Sequence, residues 1–238
     1  MHRLRSRPLW LAGVATVMVS ACSSAPPPTA TPSPTVVATP TPSPTALPPD
    51  TLSVGVLAVG IGTFDLATIP VARLKNEARY HGAASVTVHF VTHRGGHTLG
   101  SLESVAAVNL APGETLAVTG DCTDACNGAT SVDATVTVGS WPTDVGPIFK
   151  TASATYSCGP CHSSHGYGNV KGTLTPSAPL SAGVAVVSYA VCVNRAGVIL
   201  GGGYEEFVWQ SGSSLSANVP VVLNASPASC AIGASTGW

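Results

Sequence analysis

From residue 51 to residue 238 the chain alternates apolar and polar side chains with a period of two, and no window carries a 3.6-residue stripe with helix caps. Val, Thr and Ala fill the alternating runs, and Gly, Pro, Asn or Asp breaks them at short, regular spacing. The clearest run is Val86-Thr-Val88-His-Phe90-Val-Thr-His93, which predicts a strand with Val86, Val88 and Phe90 on one face and Thr87, His89 and His93 on the other. Arg94-Gly95-Gly96 then predicts a turn, and Pro112-Gly113 a second one. The predicted class is all-β.

The pattern recurs. His93-Arg-Gly-Gly96-His-Thr-Leu99-Gly100 matches Asn194-Arg-Ala-Gly197-Val-Ile-Leu200-Gly201, an offset of 194 − 93 = 101. That alignment sets Val86, Val88 and Phe90 on Val187, Tyr189 and Val191 as equivalent core residues, and Gly95-Gly96 on Ala196-Gly197. The expected architecture is two tandem β-sandwich domains, 51–145 and 146–238, with a single larger sandwich as the alternative.

Ahead of the β region the pattern changes twice. Arg3, Arg5 and Arg7 precede an apolar run from Leu9 to Val19, too short to span a bilayer and of the right length for a signal peptide. The run ends in Val19-Ser20-Ala21-Cys22, which resembles the lipobox of bacterial lipoproteins. The resemblance implies a signal peptide over 1–21, cleavage between Ala21 and Cys22, and lipidation of Cys22. Acyl chains on that cysteine would hold the protein at a membrane surface. Residues 22–50 then read as a lipidated cysteine followed by a disordered spacer, rich in Pro, Thr and Ser and holding ten of the twenty prolines. As polyproline II it would reach roughly 80 Å. The expected location is the extracytoplasmic face of the cell membrane.

The N-terminal half also carries Ala72-Arg-Leu74-Lys-Asn76, Val86-Thr-Val88-His-Phe90, Leu99-Gly100 and Leu110-Ala-Pro112-Gly-Glu-Thr115. Together these resemble the FxLYD-type domain of bacterial lipoproteins, which implies an immunoglobulin-like, non-catalytic sandwich. Val91-Thr-His93 follows Phe90 where that family has its name-giving motif, and the C-terminal half lacks Pro-Gly-Glu.

Charge changes the picture by exclusion. Ten basic residues stand against eleven acidic ones, and loss of Arg3, Arg5 and Arg7 would leave 7 − 11 = −4. That balance, with 5% aromatic residues, argues against nucleic acid as a partner.

Six cysteines remain beyond Cys22, an even number in an exported chain, and point to disulfides. Cys122-x-x-x-Cys126 suits a local clip and Cys158-x-x-Cys161 a tight one, leaving Cys192 and Cys230 on two strands. The repeat alignment puts Cys192 on the face opposite Val191, as a staple on an outer edge. Cys158-Gly-Pro-Cys161-His162-Ser-Ser-His165 leaves other chemistry open: haem attachment with His162 as axial ligand, a redox-active pair, or zinc on two Cys and two His. His89, His93 and His97 lie too far apart along a strand for one ion unless the turn folds His97 back. Glu205 and Glu206 are neighbours and would point to opposite faces, which spoils a paired-carboxylate site. Gly233-x-Ser235-x-Gly237 has no helix, acid and histidine after it to make a nucleophile elbow. Gly201-Gly202-Gly203 reads as a bulge or a close backbone approach. The leading expectation is therefore a membrane-anchored, non-enzymatic binding or structural module of the cell envelope, with no cofactor and an unidentified protein or envelope ligand. The alternative is an exported redox, haem or metal accessory protein using Cys158, Cys161, His162 and His165.

Overall fold

A computed structural model describes residues 48–65, 67–122, 126–159 and 166–236. Among them the chain is all-β, with thirteen strands and no α-helix. Leu47–Trp238 form one compact unit.

The strands of the N-terminal half are β1 (Val54–Phe64), β2 (Ala67–Asn76), β3 (Ala83–Arg94), β4 (His97–Glu103), β5 (Val108–Leu110), β6 (Thr115–Thr119) and β7 (Ser131–Ser140). Those of the C-terminal half are β8 (Phe149–Cys158), β9 (Gly166–Pro176), β10 (Ala185–Val193), β11 (Ile199–Val208), β12 (Leu215–Leu223) and β13 (Ser229–Ser235). In the first half β2 pairs between β1 and β6, while β3 is flanked by β4 and β5 on one side and β7 on the other. In the second half β9 pairs between β8 and β12, while β10 lies between β11 and β13. The pairing scheme is the same in both, with β4 and β5 together taking the part of β11. One difference is that β11 and β12 also pair, at Gly201↔Leu223 and Gly202↔Val222, which fuses the second half into one six-stranded sheet.

Period-two burial explains the first core. Val86, Val88 and Phe90 are fully buried and pack with Ala72, Leu74, Leu116 and Val118 of the opposite sheet. Val170, Leu174, Val219, Val221 and Leu223 build the second core with Val186, Ala190, Cys192 and Trp209. A third apolar layer joins the halves: Ile69, Val71 and Ala117 from the first half meet Val191, Ile199 and Val222 from the second.

This layer corrects the register expected from the repeat. Val187, Tyr189 and Val191 are buried, but toward the other half: Val187 and Tyr189 join the core of Phe90, and Val191 joins the layer between halves. The residues of β10 that face the second core are Val186, Ala190 and Cys192. Seven consecutive residues of β10 are buried. A strand covered on both faces has no polar side to fix its parity, so a one-residue slip in the alignment goes unseen.

Asp50 fastens the start of the described chain to the domain. Its carboxylate accepts hydrogen bonds from the amides of Arg79 (2.7 Å) and Tyr80 (3.0 Å) and pairs with His81 Nδ1 at 2.8 Å. Burial works to raise its pKa, but the Arg79 amide, the His81 ring and the Tyr80 amide outweigh it and hold the group down to about 2. A depressed carboxylate stabilises the folded form above its unfolded value near 3.8 and loses that contribution as pH falls toward 2. The amide resonances of Arg79 and Tyr80 should therefore titrate with a midpoint near 2 in the wild type and show no such step in Asp50→Asn. A midpoint near 4, the free carboxyl value, would overturn this assignment.

Candidate functional site

Ala21 and Cys22 lie outside the described residues, as do Cys161, His162 and His165. The remaining cysteines are placed. Cys122 and Cys126 are joined in a disulfide, Cα–Cα 5.8 Å. The clip is held against β2, because Cys122 forms an isolated bridge with Thr68 and the Cys126 carbonyl accepts the Thr68 hydroxyl at 3.4 Å. Cys192 and Cys230 are joined directly across the β10–β13 pair, Cα–Cα 4.1 Å. Cys192 is fully buried beside Val186 and Ala190. The staple therefore sits inside the second core and not on an outer edge, for the same reason of parity. Cys158 ends β8 opposite Gly168, is itself disulfide-bonded, and receives the Tyr156 hydroxyl on its sulfur at 3.3 Å.

The histidines of β3 are engaged one by one by cross-strand partners. His89 meets Thr137 Oγ1 at 3.0 Å through Nε2 and Glu103 at 3.3 Å through Nδ1. His93 pairs with Asp133 at 3.0 Å and lies 3.4 Å from the Thr98 hydroxyl. His97 stands exposed beside the hairpin turn. Among the described residues no three His, Cys, Asp or Glu side chains converge to hold a metal ion.

Glu205 accepts the Asn218 amide at 3.3 Å, while Glu206 borders the phenols of Tyr189 and Tyr204. Tyr204 donates to Asp121 at 3.1 Å, and burial, then the Asp121 charge, push its pKa up to about 12. Burial drives the Tyr189 hydroxyl higher still. Neither phenol ionises near neutral pH. Ser235 lies within β13 and accepts the Asn109 amide at 2.9 Å, so it sits on no strand-to-helix turn.

The polar residues that matter most to the architecture lie where the halves meet. Asn224 Oδ1 accepts both the amide (2.7 Å) and the hydroxyl (2.9 Å) of Thr63, and its Nδ2 donates to the Ile61 carbonyl at 2.6 Å. With Tyr204–Asp121 and Asn109–Ser235, these bonds cross from one half to the other. Backbones approach closely here: a Cβ on Gly62 would stand 2.0 Å from the Val222 carbonyl oxygen, and one on Gly60 would stand 2.5 Å from Ile199 Cβ. Of the run Gly201-Gly202-Gly203, a Cβ on either of the first two would also meet the first half, at Gly62 Cα (2.9 Å) and Val71 Cγ2 (3.0 Å) respectively. The tightest approaches are within the second half, to the carbonyl oxygens of Val222, Ala190 and Pro220, which explains the run as a close approach. Asn224 had no signal in the sequence, since a single Asn in a loop reads as ordinary turn chemistry.

Two motif residues also have a structural task. Asn76 is fully buried, and its amide reaches the carbonyls of His81 (2.9 Å), Leu110 (3.2 Å) and Ala111 (3.1 Å). Glu114 accepts the Ala111 amide at 2.7 Å and closes the Pro112-Gly113 turn.

Where the joint between halves opens, a cleft of about 310 Å³ remains. Arg73, Thr115 and Ala117 of the β2–β6 face form one wall, and Val191, Val193, Ser229 and Ala231 of the β10–β13 face form the other. Among the described residues Arg73 is the one charged residue lining it.

No protein-family model, no curated protein and no solved structure matches the chain.

Proposed function

We propose that this protein is a membrane-anchored, surface-exposed bacterial lipoprotein whose folded part is a non-catalytic binding or structural module of the envelope. The fold is read more finely as two tandem immunoglobulin-like sandwiches, 51–145 and 146–238, of which the first is FxLYD-like. The observation that carries this reading is the shared pairing scheme: β1-β2-β6 over β4/β5-β3-β7 in one half, β8-β9-β12 over β11-β10-β13 in the other. Three strands on one sheet and a central strand between its hairpin partner and the last strand on the other make a Greek-key sandwich.

The layer of Ile69, Val71, Ala117, Val191, Ile199 and Val222 turns the pair into one body. A single stiff body on a long Pro-rich spacer suits presentation of a fixed surface at a distance from a membrane. Two disulfides among the described residues suit an oxidising compartment. The segment Val19-Ser20-Ala21-Cys22 supplies the anchor in this reading.

The reading is tested at Cys22. Cys22→Ser is expected to move the protein out of the membrane fraction, or to leave it with its signal peptide uncut. In detergent phase separation the wild type should enter the detergent phase and the processed variant the aqueous one. Equal partitioning of the two would rule out the anchor.

A further inference from the structure

The cleft at the open end of the joint is apolar along its length, with Leu116, Ala117, Val191, Val193, Ala231 and Ile232 around it. Arg73 stands directly opposite Ala117 across the β2–β6 pair and is half-buried. No carboxylate lies within ion-pair distance of it among the described residues. Lys75, two residues along the same face, is different, because Glu77 neutralises it at 2.7 Å. A half-desolvated guanidinium without a counter-ion is unfavourable, and an anion arriving with its own apolar body relieves it.

We propose that the cleft binds a single-chain amphiphile, a monocarboxylate with a medium-length apolar tail. The carboxylate takes the planar fork of Arg73, for which its geometry is matched. Thr115 and Ser229 also line the cleft and offer hydroxyl donors. The tail lies between Val191, Val193 and Ala231 on one side and Ala117 on the other. Size sets its length: at roughly 30 Å³ for each methylene-sized group, about the share of one water in the liquid, the cleft holds a chain of about ten heavy atoms. Charge sets its head. A phosphate dianion would call for a second cation, and among the described residues Arg73 is the only cationic side chain lining the cleft.

This deepens the binding-module reading and is independent of how the protein is anchored, so the two fail in different experiments. The test is binding of decanoate, labelled with ¹³C at the carboxyl, to the full-length protein in lipid nanodiscs, or in lipid-free buffer where the protein does not enter them, with the matching protein-free sample as the reference. One saturable equivalent per chain, with a carboxyl resonance distinct from that of decanoate in the protein-free sample, is expected. Arg73→Gln should weaken binding tenfold or more, and Lys75→Gln should leave it unchanged. Decanol, which lacks the charge, should compete at least tenfold more weakly than decanoate. Ala231→Trp should abolish binding by filling the cleft. Should that variant unfold, Arg73→Gln and the decanol comparison decide the matter alone. Absence of a saturable excess over the protein-free sample, or equal affinity in Arg73→Gln, or equal competition by decanol, would each overturn the proposal.

Discussion

Gly201→Ala is expected to destabilise the fold by roughly 3 kcal/mol or more, enough to leave a marginal domain largely unfolded. Two effects add at this position. The backbone φ is 144°, a conformation that side-chain-bearing residues rarely adopt. An alanine Cβ would also clash with the Val222 carbonyl oxygen on the paired strand β12 and stand 2.9 Å from Gly62 Cα of the other half, so both the β11–β12 pairing and the joint would have to give. Gly95→Ala is the control, because Gly95 has φ 56° but nothing within 4 Å of the added carbon. Its cost should be about 1 kcal/mol, the conformational penalty alone. Urea unfolding midpoints of the two variants and the wild type check the difference. Equal losses would mean that the joint between halves yields easily and that close packing at Gly62 and Gly201 is unimportant.

Removing the Cys192–Cys230 bridge should cost about twice as much as removing the Cys122–Cys126 bridge. The first closes a separation of 38 residues and the second one of 4. On the loop-entropy account these correspond to roughly 4 and 2 kcal/mol. Burial does not add to the gap, since Cys126 is as fully covered as Cys192 is in the second core, so loop length alone sets the ranking. Trp209, 1% exposed in that same core, reports the loss directly through its fluorescence. Thermal unfolding of the two double-alanine variants should rank Cys192/Cys230 below Cys122/Cys126. The reverse order would show that the clip beside Thr68, not the core staple, governs stability.

Strand β3 was legible residue by residue. One of its faces is buried and the other carries His89, His93 and Thr87, so alternation revealed both its class and its register. The turns at Gly95-Gly96 and Pro112-Gly113 were legible for the same local reason, since positive φ falls at Gly95, Gly96 and Gly113. Strand β10 was legible as a strand but not in its register, because it is covered on both faces. The error then carried to Cys192, whose side of the sheet follows from that parity.

The candidate cleft divides in the same way. Leu116 and Val191 were recognisable as apolar strand residues, but nothing local joins them to Arg73, which is 118 positions from Val191 by 191 − 73. The cleft exists because the β2–β6 and β10–β13 faces, from different halves, line one space. Sequence alone determined the all-β class, the hairpin of β3 with β4, and the even set of cysteines, because each depends on alternation, turn chemistry or counting within a short span. Only the tertiary structure decided which face of β10 is inside, which side chains cross between the halves, and that Arg73 is left without a carboxylate partner among the described residues. Those outcomes are set by contacts between residues far apart in the chain, 83 positions for Tyr204 and Asp121 and 161 for Thr63 and Asn224, and a local pattern holds no record of which distant surface will cover it.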